Sequence, residues 1–200
     1  FTISLWHKRD MLFGSGGGAE NVRLITFTGG ATADSSAHFY FRLNNDRVDI
    51  GNYAGGGVHM PRTTTTQVLR DPSAWYNIVY VSDLANGTQG NRWRLYINGV
   101  RVTSFATATY PANTTTTSLV GNNNVVLIGD FDSQDQQSTG YYGQTIYLDN
   151  IAVGDTDSVI DEFGELKNGV WIPKAYTGSY GTNGFRLKFD QTGVGTGSTS

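Results

Sequence analysis

Trp93-Arg94-Leu95-Tyr96-Ile97-Asn98-Gly99-Val100-Arg101-Val102 decides the class of fold. An extended chain sends successive side chains to opposite faces, so the apolar and polar positions on either side of Asn98-Gly99 read as two half-buried strands. A two-residue connection between twisted antiparallel strands favours the type I′ turn, which needs positive φ at both central residues. Asn followed by Gly meets that need at least cost. The stretch is therefore a β-hairpin, and the rest of the chain is read outward from it.

Upstream, Trp75-Tyr76-Asn77-Ile78-Val79-Tyr80-Val81 has the β-branched and aromatic content of a central strand. Phe1, Ile3 and Leu5 alternate in Phe1 to Trp6, and a second strand falls at Leu24-Ile25-Thr26-Phe27. Within His38 to Leu43, Phe39, Phe41 and Leu43 share one face while His38, Tyr40 and Arg42 share the other. Asn44-Asn45-Asp46 supplies a tight turn into Arg47-Val48-Asp49-Ile50, because Asn and Asp tolerate left-handed backbone. A threonine-rich strand ends near Leu69. Downstream, Val125 to Ile128, Thr145 to Val153 and Phe185 to Phe189 return to strand patterning. Val159, Ile160 and Phe163 are spaced as on a helix, which predicts one short helix over Ser158 to Lys167. About ten short strands without alternating helices predict an all-β sandwich of two antiparallel sheets over residues 1–190. Residues 191–200, rich in Gly, Ser and Thr, read as a tail or linker.

Composition agrees and narrows the function. Only 16 % of the 200 residues are charged, below the roughly 25 % of an average domain. The 26 glycines and the threonine runs Thr63 to Thr66 and Thr114 to Thr117 disfavour helices. The net charge is -3 and the 14 basic residues are scattered, so no basic stripe awaits a phosphate backbone and nucleic acid is not an expected partner. The chain has no cysteine, which removes disulfides and thiolate metal sites. No apolar run approaches the roughly 20 residues of a spanning helix, so membrane insertion is not expected. Because Phe1 opens directly on strand patterning, the sequence reads as a mature or cut-out piece.

Two stretches carry a resemblance. Trp75 to Tyr80, a polar spacer, then Arg94 to Val100 resembles the laminin-G and pentraxin-like pattern, in which a Trp-led strand precedes a hairpin reading Leu-Tyr-x-Asn-Gly. Asn168-Gly169-Val170-Trp171-Ile172-Pro173-Lys174-Ala175-Tyr176-Thr177-Gly178-Ser179-Tyr180-Gly181-Thr182-Asn183-Gly184-Phe185 is similar to a segment common in phage and prophage structural proteins. The resemblance implies a concanavalin A-like jelly roll on the outside of a bacteriophage particle, as part of a tail fibre, head fibre or capsid decoration. Other virion proteins, further copies of the chain as a homo-oligomer, and a host cell-surface polysaccharide are the partners it implies. It implies an extracellular place and no catalytic residue. The threonine runs are the expected contacts between copies.

Three kinds of site chemistry are weighed against that background. Glycoside hydrolysis needs two carboxylates about 5–9.5 Å apart. Hydrolases of this topology resemble one another in a Glu-x-Asp-x-x-Glu strand motif that this chain lacks, and the acids Asp161, Glu162 and Glu165 read as a solvated face. A glucanase or depolymerase is thus the rival reading, and a purely architectural virion protein without sugar binding is another. Calcium is the one candidate cation, with no cofactor required. Asp130, Asp132 and Asp135, with Asp149 beyond, offer hard oxygen ligands, although Asp135 and Tyr141 stand where an EF-hand loop needs Gly and Glu. His7, His38 and His59 fall in no zinc-type spacing. For sugar, Tyr141 and Tyr142 beside Asp132 and Gln134 combine an aromatic face with hydrogen-bonding groups, and these four are the expected ligand contacts.

Overall fold

The computed structural model describes residues 1–10, 12, 21–28, 38–53, 59–114, 125–130, 137–154 and 159–190. Two six-stranded antiparallel sheets pack face to face as a jelly-roll sandwich, and a two-stranded ribbon lies outside them. Sheet A runs in the order β14 (Phe185–Leu187), β11 (Tyr141–Leu148), β1 (Thr2–Lys8), β6 (Trp75–Ser82), β7 (Trp93–Ile97), β8 (Val100–Arg101). Sheet B runs β10 (Val125–Ile128), β2 (Asn21–Thr28), β3 (His38–Asn44), β4 (Arg47–Tyr53), β5 (His59–Val68), β9 (Phe105–Thr109). The ribbon pairs β12 (Gly164–Lys167) with β13 (Val170–Pro173).

The alternation read from the sequence sets the core. Phe1, Ile3 and Leu5 from β1 and its entry, Ile78 and Tyr80 from β6, and Trp93, Leu95 and Ile97 from β7 meet Phe39, Phe41, Leu43, Val48 and Ile50 of sheet B between the sheets. Aromatic rings meet there edge to face, as Phe1 with Phe39 at 5.7 Å and Tyr80 with Trp93 at 5.5 Å. The hairpin turns follow from positive φ. Asn98 and Gly99 sit at 49° and 79°, and Asn45 and Asp46 at 48° and 63°.

Two expectations are corrected. No helix forms over the described part of Ser158 to Lys167. Asn168 and Gly169, at φ 52° and 80°, build a further turn of the same type, and it folds Gly164–Lys167 back on Val170–Pro173 as strands. The spacing of Ile160 and Phe163 suits a helix face, but both anchor an irregular segment onto sheet A. The run Thr63 to Thr66 is also no free contact surface along most of its length. Thr63, Thr64 and Thr65 are buried in β5, between β4 and β9. Thr115, Thr116 and Thr117, like the tail 191–200, lie outside the described residues.

The outer face of sheet A is itself covered. Val79, Val81, Tyr96, Ile146 and Leu148 form a second apolar cluster with Ile160 and Phe163, flanked by Tyr176 and Tyr180. A strap comprising the ribbon and residues 174–184 thus lies across this face. Asp149 latches it: its carboxylate accepts from the Asn183 backbone N–H (3.2 Å) and side-chain amide (2.9 Å), and its own N–H donates to the Tyr180 carbonyl (2.9 Å).

Candidate functional site

Among the described residues the strap stops short of one end of sheet A's outer face, where Trp75 is part-exposed. On β1, Trp6 is in opposite phase to Ile3 and Leu5, so it points outward. On β6, Trp75 is in opposite phase to Ile78 and Tyr80. Trp6 pairs directly with Asn77, which puts Trp6 and Trp75 in diagonal contact range on one face. Across β11, Leu5 pairs with Thr145 and His7 with Tyr142, so Gly143 and Gln144 together face Trp6 alone. That extra residue is a β-bulge, which bends the strand at this point. Gly143 is needed there, since a Cβ would lie 3.0 Å from the Trp6 Cβ.

The third tryptophan comes from the strap. Trp171 of β13 lies over the β7–β8 turn, where a Cβ on Gly99 would fall 2.5 Å from its ring. Its indole N–H donates to Asn77 Oδ1 at 3.3 Å. Trp6, Trp75 and Trp171, with Val170, Pro173 and the amides Asn98 and Gln144, line a groove of about 570 Å³. Such a volume falls within the range of small-molecule sites, roughly 300–1,000 Å³. Trp75 is 42 % exposed and Trp6 is buried. The Trp6 indole N–H has no hydrogen-bond partner among the described residues.

The polar groups of the groove are largely engaged by the protein. Asn98 Oδ1 accepts from the Asn77 backbone N–H at 2.9 Å. Gln144 donates to the Lys174 carbonyl at 3.3 Å and accepts from Arg186 at 2.5 Å. None of the described lining residues is ionisable. This arrangement suits an uncharged ligand with an apolar face.

The outer face of sheet B is built differently. Asp49 is fully buried and accepts from Arg42 Nε (2.7 Å), Arg62 Nε (2.8 Å) and Thr64 Oγ1 (2.8 Å). Burial by itself would raise the Asp49 carboxyl, but the Arg62 hydrogen bond and the two guanidinium charges outweigh it and hold the group below the usual carboxylate range. Tyr40 lies between Arg23 (5.0 Å) and Arg42 (4.5 Å). Burial, with the Asp49 charge second, pushes its hydroxyl up to about 12. Burial and the Arg42 charge lower Arg23 to about 9.

Of the residues singled out in the sequence, Asp130 and Tyr142 come close together, since a Cβ on Gly129 would fall 3.4 Å from the Tyr142 ring. Asp132, Gln134 and Asp135 lie outside the described residues. Asp130 is half-buried beside Thr26, whose hydroxyl reaches its carbonyl at 3.5 Å. Asp149 serves the latch rather than a cation. Among the described residues no three His, Cys, Asp or Glu side chains converge as a metal would require. Tyr141 is 60 % exposed at the start of β11. Tyr142 is engaged in packing: its ring meets His7 at 5.0 Å and Phe189 at 6.2 Å, and burial pushes its hydroxyl above the usual phenol range. Tyr142 is half-buried in these contacts, whereas Tyr141 beside it is exposed. Asp161 and Glu165 are exposed on the strap. The groove tryptophans escaped notice as a group because they stand at positions 6, 75 and 171. The available signal was parity, since each of Trp6 and Trp75 is out of phase with the apolar face of its own strand.

Among solved structures, similarity is found to the carbohydrate-binding module CBM40 of a Ruminococcus gnavus IT-sialidase, at 15 % identity and a TM-score of 0.43, covering 77 % of each chain. The same module bound to α2,6-sialyllactose gives 15 % and 0.42, covering 77 % of this chain and 78 % of that one. No curated protein matches. The family model described as the concanavalin A-like lectin/glucanases superfamily matches residues 1–144, which carry β1 to β10 and the start of β11. With 144 of its 200 residues matched and a two-sheet jelly roll as its fold, the chain belongs to the concanavalin A-like lectin/glucanases superfamily.

Proposed function

We propose that this domain is a non-catalytic glycan-binding module carried on the outside of a bacteriophage particle, in several copies and among other virion proteins. The observation that carries the sugar-binding part is the groove formed by Trp6, Trp75 and Trp171. Pyranose rings present C–H faces to aromatic rings and hydroxyls to amides, and the groove has both kinds of partner. That no carboxylate is among its described lining residues supports a binding role over hydrolysis, which requires an acid and a base or nucleophile. The virion part is supported by the resemblance of residues 168–185 to phage structural proteins. In this fold those residues form much of the strap and supply Trp171.

The test is binding of the purified domain to an array of bacterial-surface and plant glycans, with the wild type beside Trp75→Ala. The expected result is a set of bound glycans whose signal falls at least tenfold in the variant, with no new reducing ends released on long incubation. Release of reducing ends would make the domain an enzyme. The array is repeated with a chelator. Unchanged binding is expected for a groove without hard oxygen ligands, whereas loss would move the site to calcium at Asp130, Asp132 and Asp135. Immunogold labelling of particles made from a genome encoding this chain tests the virion part, and unlabelled particles would remove it.

A further inference from the structure

We infer that the groove selects uncharged sugars, taking a neutral pyranoside by its C–H face and discriminating against the same glycan when it carries an acidic residue. This rests on the reading that the domain binds glycans, and it names the ligand class.

Of the eleven described residues that line the groove, none is Asp, Glu, Lys, Arg or His. A carboxylate brought into it would lose water and meet only neutral groups of the lining, which costs more than covering an uncharged hydroxyl. The neighbouring cations stand outside the lining. Lys174 donates to the Asp161 carbonyl at 2.9 Å and faces the Asp161 carboxylate at 3.5 Å. Arg186 is bound to Gln144 Oε1. Lys8 pairs with Trp75 across the sheet but does not line the groove, and its charge acts on Asp71.

The second part is hydrogen bonding. Trp171 and Gln144 already have partners inside the protein, so a sugar's apolar face can cover them without stranding a polar group. What remains for the ligand is the Asn98 side-chain NH2, whose amide oxygen alone is engaged. The Trp6 N–H has no acceptor among the described residues but is itself buried beneath the groove surface. The Asn98 donor is answered by a hydroxyl or ring oxygen with no charge. The third part is apolar area, since Trp75 at 42 % and Val170 at 60 % exposure leave apolar surface for a pyranose face to cover.

The experiment is calorimetric titration of the domain with matched pairs that differ by one acidic sugar: lactose against α2,3-sialyllactose, and cellotriose against cellotriose capped with glucuronic acid. Wild type is compared with Trp75→Ala and Val170→Lys, and melting temperature is recorded for each as a check on folding. The expected result is that a neutral member binds at least tenfold tighter than its acidic counterpart. Trp75→Ala abolishes that binding, and Val170→Lys narrows or reverses the preference by placing a cation at the rim. Equal or tighter binding of the acidic member by wild type overturns the selectivity while leaving glycan binding standing. Binding that survives Trp75→Ala moves the site away from the groove and overturns the inference. If no pair and no array glycan binds, and a polyproline peptide does so through Trp75, glycan binding itself fails and the selectivity with it, since aromatic grooves also take extended proline-rich chains.

Discussion

On the outer face of sheet B, Asp49 is sealed among Arg42, Arg62 and Thr64, while on the outer face of sheet A, Val79, Val81, Ile146 and Leu148 lie under Phe163 and Ile160. One face buries charge and the other buries hydrocarbon. The ionic face depends on direction and distance, so every member is fixed by its partners, and removing one leaves a charge without an answer. The apolar face has no such demand. Its strap can stop short of the sheet's end, leaving Trp75 half-exposed, because an incompletely covered apolar face costs only area. This difference explains why the groove appears on sheet A. Under the proposed function, a glycan would complete the covering that the strap begins.

The comparison is broken most directly at Asp49. Asp49→Ala leaves Arg42 and Arg62 without their shared carboxylate and is expected to cost about 3–5 kcal/mol, read from urea unfolding. A loss under 1 kcal/mol would show that sheet B's outer face is not held by this network. Phe163→Ala probes the other face. Its ring is 1 % exposed and stacks on Tyr176 at 5.3 Å, so a loss of roughly 3 kcal/mol is expected. Hydrogen exchange then decides between the two faces. In Phe163→Ala the amides of β12, β13 and residues 174–184 should exchange faster than those of β3 and β4, and uniform acceleration would mean that the strap and sandwich unfold as one.

A smaller effect separates the faces by pH. Burial, with the Arg9 charge second, holds His7 at about 4, below its ordinary 6.5. The unfolded chain therefore binds the proton first, and stability is fully present above pH 6.5 and falls as pH drops towards 4, by roughly 2–3 kcal/mol. Asp49, whose folded carboxyl is depressed, gives up its contribution only below the ordinary carboxylate range. In His7→Gln the loss between pH 6.5 and 4 should vanish while the loss below pH 4 stays. A curve unchanged from wild type would place the titration elsewhere. The smallest effect is expected at Trp75→Ala, within about 0.5 kcal/mol in stability for a half-exposed ring away from the core, against a large effect on binding. A drop in melting temperature comparable to that of Phe163→Ala would make Trp75 a core residue and remove its role as a platform.

Most of the sandwich was legible in the sequence, because period-2 alternation is a local signal. Phe39, Phe41 and Leu43 face the core as their spacing implies, and Asn98-Gly99 turns where turn chemistry demands. The helix expected over Ser158 to Lys167 misled because Val159, Ile160 and Phe163 match a helical spacing while the decisive signal, Asn168-Gly169, lies just beyond it. The strand β9 also escaped, since Phe105-Ala106-Thr107-Ala108-Thr109 has one large apolar residue and owes its extension to pairing with β5. Of the expected ligand residues, Tyr142 became a packing residue because the bulge at Gly143 and Gln144 turns it towards His7 and the core.

The sequence by itself determined the strands, the turns and the inward face of each strand, since these follow from alternation and from the few residues that accept positive φ. Only the tertiary structure decided that Trp6, Trp75 and Trp171 share a groove, that Asp49 collects two arginines and that Asp149 latches a strap. Each of these joins residues far apart in the chain, and such contacts are set by how whole sheets and segments pack, which no local pattern records.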